Sequence, residues 1–233
     1  MWQKLIALLF PNPSMCVLCE DRAEALTICD DCLARWENFA AHEGQCRRCG
    51  HFGSRAPVCD TCRDWPKYFT GNTAFLPYTE TVREAILRFK YAGEPWRAEG
   101  FAGPLRTPVR RRWLISFCRC RCTKRACASV ATTRAGCSRG RSLRAGSFRR
   151  ATICFLRVVN TRHQVGLSKA ERVQNVSGAF AVPERALAEL RGKRVLLVDD
   201  VMTTGSTLLS CARTLHKAGV REVQSLTIAS AIR

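Results

Sequence analysis

The sequence predicts an α/β fold: a parallel sheet with helices on both faces, preceded by a small module that metal ions hold together. Three observations lead there. Residues 194–199 are an apolar run that ends in acid, the pattern of a strand buried on both faces. Residues 206–218 then repeat apolar side chains at helical spacing and residues 222–229 return to a strand pattern, so the three form a strand–helix–strand unit. Before residue 63 the chain carries four Cys-x-x-Cys pairs and little apolar periodicity.

The elements follow in chain order. Lys4 and the short apolar run at 5–10 are stopped by Pro11 and Pro13, with no small-residue cleavage site after them. That run is read as a helical turn packed on the protein, in preference to an export signal. No stretch of 18 apolar residues occurs, so no membrane insertion is expected, and a cytoplasmic location follows. With 233 residues and 46% apolar content, the chain has room for one α/β domain and a small module, and wholesale disorder is excluded. Residues 1–66 are assigned to the cysteine-rich module and 67–233 to the α/β domain, with Asp64-Trp65-Pro66 as the boundary.

Cys16 and Cys19 precede Cys29 and Cys32 by nine residues, and Cys46 and Cys49 precede Cys59 and Cys62 by the same nine. Two thiolates two residues apart can grip one cation through a tight turn, and two such pairs complete a tetrahedral zinc site. In a reducing compartment this favours metal over disulfides. The eight cysteines suit one or two structural Zn²⁺ ions. The repeated spacing favours local pairing, and a crossed arrangement stays open. His42 and His51 are surplus to an all-cysteine site and are read as surface residues.

In the second part, residues 73–78 read as a strand. Residues 79–91 read as a helix with Thr79 or Thr81 as N-cap and Val82, Ala85, Ile86 and Phe89 on one face, ended by Gly93. In the helix at 206–218, Leu208, Leu209, Ala212 and Leu215 point inward and Gly219 caps the end. Cys211 is read as buried and His216 as exposed.

Residues 195–207 hold the most specific signal. Four apolar residues bury a strand, and Asp199 and Asp200 stand at its carboxyl end, where ligands bind in open α/β sheets. Thr203, Thr204, Gly205, Ser206 and Thr207 then run into a helix N-terminus, whose backbone N–H groups, hydroxyls and dipole favour a phosphate. This stretch resembles the 5-phosphoribosyl-1-pyrophosphate (PRPP) motif of type I phosphoribosyltransferases. The resemblance implies that Asp199 and Asp200 hold the ribose hydroxyls and that residues 203–207 cradle the 5′-phosphate. It also implies displacement of pyrophosphate at C1, with Mg²⁺ on the pyrophosphate. Lys90, Lys169 and Arg172 are further candidates for phosphate contact, and His163 for a catalytic loop.

Four cysteine pairs followed by this motif resemble the ComF family, linked to DNA uptake and competence. Residues 87–93, 164–172, Asn175 and 178–180 agree with it, so the resemblance covers about 1–103 and 156–233. It implies a type I phosphoribosyltransferase-like domain after a zinc ribbon, with PRPP, single-stranded DNA and DNA-uptake proteins as partners. Between those stretches it fails. Residues 118–150 carry ten Lys or Arg and no acid, more than half of the net +19 charge, where the family has its pyrophosphate loop. With permitted codon choices, a one-base shift across 117–139 restores a family-like stretch. Two compensating frameshifts, near 104–117 and 140–156, are therefore read, and 104–155 is expected to be disordered or misread. An uninterrupted frame in the nucleotide sequence, with no family likeness in its neighbour, would sink that reading.

Three functions remain open on the sequence. One is a PRPP-binding phosphoribosyltransferase homologue. Another is a non-catalytic zinc protein that binds nucleotide or single-stranded DNA through its positive charge. The third is an inactive product of a damaged reading frame.

Overall fold

The computed structural model describes residues 15–21, 23, 28–94, 96–98, 100–101, 114–117, 156–157 and 180–232. The readings made for 5–10, for 118–150 and for His163, Lys169 and Arg172 lie outside them. Within the stretch 104–155, residues 114–117 form a strand.

The described elements are helices α1 (Asp30–Glu43), α2 (Asp60–Arg63), α3 (Glu80–Tyr91), α4 (Glu184–Leu190) and α5 (Ser206–Lys217). The strands are β1 (Phe69–Pro77), β2 (Leu114–Phe117), β3 (Leu156–Arg157), β4 (Phe180–Ala181), β5 (Arg194–Met202) and β6 (Glu222–Ser230). Four strands form a parallel sheet in the order β1-β6-β5-β2, while β3 and β4 make a separate antiparallel pair. No helix among the described residues is long and apolar enough to cross a membrane.

β5 is central because its first half is apolar on both sides. Val195, Leu196 and Leu197 are all buried. The strand pairs with β6 from Arg194↔Glu222 to Met202↔Ser230, three residues beyond the predicted end at Asp199. β1 starts at Phe69, four residues before the predicted start. Phe69 and Gly71 already pair with β6 across a bulge, and Thr70 and Asn72 had masked the apolar pattern.

The helices cover opposite faces, as expected. Val82, Ala85 and Ile86 of α3 share a core with Leu76 and Ile228. Leu208, Cys211, Ala212 and Leu215 of α5 share the other with Phe69, Val195, Leu197 and Val223. Each fully buried leucine contributes about 1.5–3 kcal/mol. Thr79 occupies the N-cap of α3 in extended conformation, but its hydroxyl makes no capping bond. At the other end of α5 the cap residue is Ala218, with Gly219 one position beyond at φ 87°. The Gly219 N–H donates to the His216 carbonyl and the Val220 N–H to the Leu215 carbonyl, a Schellman ending sealed by buried Val220 on Leu215. His216 is exposed and stacks on Tyr68 with ring centroids 4.0 Å apart, and Cys211 is buried.

The cysteine-rich stretch is built into both cores. Cys16, Val17, Leu18, Ile28 and Cys32 belong to the α3 core, and Cys46, Cys49, Cys62 and Trp65 to the α5 core. α1 joins the two halves and is about 21 Å long. At its far end Phe39 packs on Phe52, and Gln45 donates to the Ala74 carbonyl of edge strand β1.

Candidate functional site

Cys16, Cys19, Cys29 and Cys32 meet in one knot, and Cys46, Cys49, Cys59 and Cys62 in a second, with all four sulfurs of each within 4.8 Å of one another. The pairing is local, not crossed. At each first ligand, backbone donors favour the thiolate form. Cys16 Sγ accepts from Leu18 N and Cys29 N at 3.4 Å, and Cys46 Sγ from Cys59 N at 3.3 Å and Cys49 N at 3.5 Å. Burial raises both thiols, but such N–H groups outweigh it and bring Cys16 down to about 7 and Cys46 to about 6. Burial and neighbouring thiols push Cys32 and Cys62 up to about 12, and raise Cys19 and Cys49 as well.

Such a donor set fits a soft divalent cation. Zinc–sulfur bonds of about 2.3 Å in a tetrahedron place sulfurs about 3.8 Å apart. The observed separations are 3.7 Å for Cys19–Cys29 and 3.5–3.6 Å for three pairs of the second knot. All eight cysteines are free thiols. A cation would compensate the extra thiolates that burial disfavours, so the two clusters are compatible with structural zinc.

The acid pair and the following loop lie at the carboxyl end of the sheet. Asp199 pairs across to Thr227 within β5, and both acids are half-buried. Asp199 Oδ1 accepts from Asp200 N at 3.0 Å, and Asp200 Oδ1 from Val201 N at 2.7 Å. Lys90, at the end of α3, places its ammonium on Asp200 Oδ2. The lysine therefore belongs to the site and is not a loose surface charge. Beyond Met202 the chain turns through exposed Thr203 and half-buried Thr204 into Gly205, which caps α5 in the left-handed region at φ 76°. A side chain there would also meet Trp65 Cζ2 at 3.0 Å. The Thr204 and Ser206 hydroxyls bond each other at 2.6 Å. The N-cap of α5 is a glycine without a capping side chain, the Ser206 N–H reaches Thr204 Oγ1 at 3.4 Å, and the first turn carries no acid. Such an end attracts anions through its N–H groups and dipole.

One sequence expectation is overturned. His51 is not a surface residue: it is 1% exposed, and its Nε2 donates to the Thr203 carbonyl at 2.5 Å. It sits immediately after the second knot's Cys49-Gly50 turn, so the knot carries it inward. His42 is exposed, with Nδ1 2.7 Å from the Asn38 carbonyl oxygen. Trp65 also exceeds its reading as a boundary residue, since it is buried against Phe69 and the loop glycine. The sequence carries no signal for either beyond their adjacency to cysteine ligands. A hollow of about 240 Å³ lies on the second knot, lined by His51, Phe52, Arg55, Cys59 and Asp60 among others, and none of residues 199–207 lines it.

Comparison with known proteins points the same way. The phosphoribosyl transferase domain family matches residues 143–232. Competence protein F of Haemophilus influenzae is 45% identical over 75 residues, 32% of this chain and 32% of that protein. An adenine phosphoribosyltransferase of Nocardia farcinica is 37% identical over 62 residues, 27% of this chain and 32% of that enzyme. The chain thus matches about a third of the length of each of these two relatives. Competence protein ComFC of Streptococcus pneumoniae is 21% identical over 203 residues, 86% of both chains.

Proposed function

We propose, for a chain that belongs to the ComF family and carries a phosphoribosyltransferase domain, that it binds PRPP or a related ribose phosphate at residues 199–207. The observation that supports this most is the continuity of the site. A buried strand carries two acids toward the carboxyl end of the sheet, and within five residues the chain reaches the glycine N-cap of a helix. Asp199 and Asp200 would accept hydrogen bonds from the ribose 2′- and 3′-hydroxyls. The N–H groups of 204–207 and the hydroxyls of Thr203, Thr204, Ser206 and Thr207 would surround the 5′-phosphate. Lys90 pairs with Asp200, and would lend a positive charge to the side a polyphosphate would approach.

Zinc would be held by the two cysteine sets and would supply structure only, since four protein sulfurs leave no open position for a reacting group. Among the described residues, the groups of three or more metal-binding side chains are those two sets. Mg²⁺ would arrive on the pyrophosphate of the substrate, as the resemblance to type I phosphoribosyltransferases implies. On this reading, the chain serves in nucleotide utilisation or in DNA uptake; two of its relatives are named competence proteins.

Titration calorimetry of the full chain with PRPP and Mg²⁺ tests the proposal. The wild type is expected to bind. Asp199→Asn with Asp200→Asn should weaken binding about a hundredfold or more, because two charge-assisted hydrogen bonds are lost. Unchanged affinity in that double variant would remove the ribose from the acid pair.

A further inference from the structure

We infer that the second four-cysteine knot sets the shape of the loop at 203–206, with His51 and Trp65 as its positioning residues, so that metal at Cys46, Cys49, Cys59 and Cys62 tunes ligand affinity. The affinity half of this inference rests on the ribose-phosphate reading; the coupling of knot to loop does not.

The chain of contacts is continuous. The knot's turn lies flat on β1: Asn72 N donates to the Arg48 carbonyl at 2.8 Å, and a side chain at Gly50 would meet Ala74 N at 2.8 Å. Asn72 Nδ2 donates to the Cys49 carbonyl at 3.2 Å and Ser230 Oγ to the Gly50 carbonyl at 2.6 Å. The two residues before His51 are therefore pinned by buried side chains of the sheet. His51 follows them, and its Nε2–H holds the Thr203 carbonyl. In a trans peptide the C=O and the next N–H point opposite ways, and no peptide among the described residues is cis. Holding Thr203 O therefore aims the Thr204 N–H to the side away from His51.

Trp65 supplies the second support. It follows the last ligand, Cys62, by three residues, and its N–H donates to the Cys62 carbonyl at 3.2 Å. Arg48, between Cys46 and Cys49, donates to the Arg63 carbonyl at 2.9 Å and the Trp65 carbonyl at 2.6 Å. Both halves of the knot thus grip the tryptophan whose ring lies under Gly205. If the four sulfurs separate, the histidine and the indole move with their ligands.

The test reads amide hydrogen exchange across 200–210 in the zinc-loaded full chain, together with PRPP titration. His51→Leu and Cys59→Ser are expected to speed exchange at 203–206 about five- to tenfold, with β6 amides unchanged, while Cys19→Ser in the first knot leaves the loop alone. PRPP affinity should fall by a similar factor in His51→Leu and recover in His51→Gln, whose amide can donate to the same carbonyl. If Cys59→Ser unfolds the chain, Trp65→Ala against Trp65→Phe carries the comparison, with the phenylalanine variant closer to wild type. Unchanged loop exchange in His51→Leu and Trp65→Ala, or equal acceleration by Cys19→Ser, overturns the inference. A loop that responds in a wild-type protein blind to PRPP would support the coupling and refute the ligand.

Discussion

Cys16, Cys19, Cys29 and Cys32 sit on the α3 side of the sheet, and Cys46, Cys49, Cys59 and Cys62 on the α5 side. Spacing and sulfur geometry are alike in the two knots; their surroundings are not. Next to the first, Glu20 carries two arginines, Arg88 from α3 and the buried Arg97, which also donates to the Val17 carbonyl at 2.5 Å. The hydrogen bond from Arg97, against burial and with help from Arg88, holds the Glu20 carboxyl below the usual carboxylate range. Next to the second stands a neutral network: Asn72 bonds Thr227 Oγ1 at 3.0 Å and Ser225 Oγ at 2.8 Å while holding the Cys49 carbonyl. Ligand spacing decides how a knot binds metal; the residues flanking the ligands decide what the knot pins. The first pins a helix to the edge of the fold, and the second pins the loop proposed to hold phosphate.

Four measurements break or sharpen that contrast, from the largest effect to the smallest. Chelation of both knots should remove the fold: structural zinc contributes about 10–16 kcal/mol in zinc-finger peptides, comparable with the whole stability of a domain. The first knot should empty first, because Cys19 is exposed whereas no ligand of the second is. Zinc release followed with a chromophoric chelator, beside near-ultraviolet circular dichroism, should show two steps, and a single step would make the knots equivalent. Asn72→Leu should cost about 3 kcal/mol in urea unfolding, since it strands buried groups on Cys49, Ser225 and Thr227. Arg97→Met should cost about 2 kcal/mol, less because its partner Glu20 is 39% exposed and keeps Arg88, and should leave exchange at 203–206 unchanged. His42→Ala should stay within about 0.5 kcal/mol in the same assay. That small value, set beside His51→Leu, separates two histidines that look alike in the sequence.

Much of this was legible beforehand because it is local. The period of apolar residues gave α3, α5, β5 and β6 to within a few residues, and the nine-residue gaps gave the cysteine partners. Lys90 was a candidate, but its target was hidden, since Asp200 lies 110 residues away in the chain. His51 was misread because a lone histidine after a glycine turn looks like loop surface. Its burial goes with Asn72 and Ser230, whose buried polar side chains hold the Cys49 and Gly50 carbonyls of the knot. Both residues read as interruptions in apolar strands, and these partners are backbone carbonyls that no sequence pattern announces.

By itself the sequence determined the two sets of four sulfurs, the buried strand with its acids and the hydroxyl-rich turn into α5, because each depends on neighbours a few residues apart. Only the tertiary structure decided that the knots straddle the sheet, that Trp65 and His51 brace the turn, and that Lys90 meets Asp200. Those contacts follow from which strand lies beside which, and the order β1-β6-β5-β2 brings together residues that the chain keeps far apart.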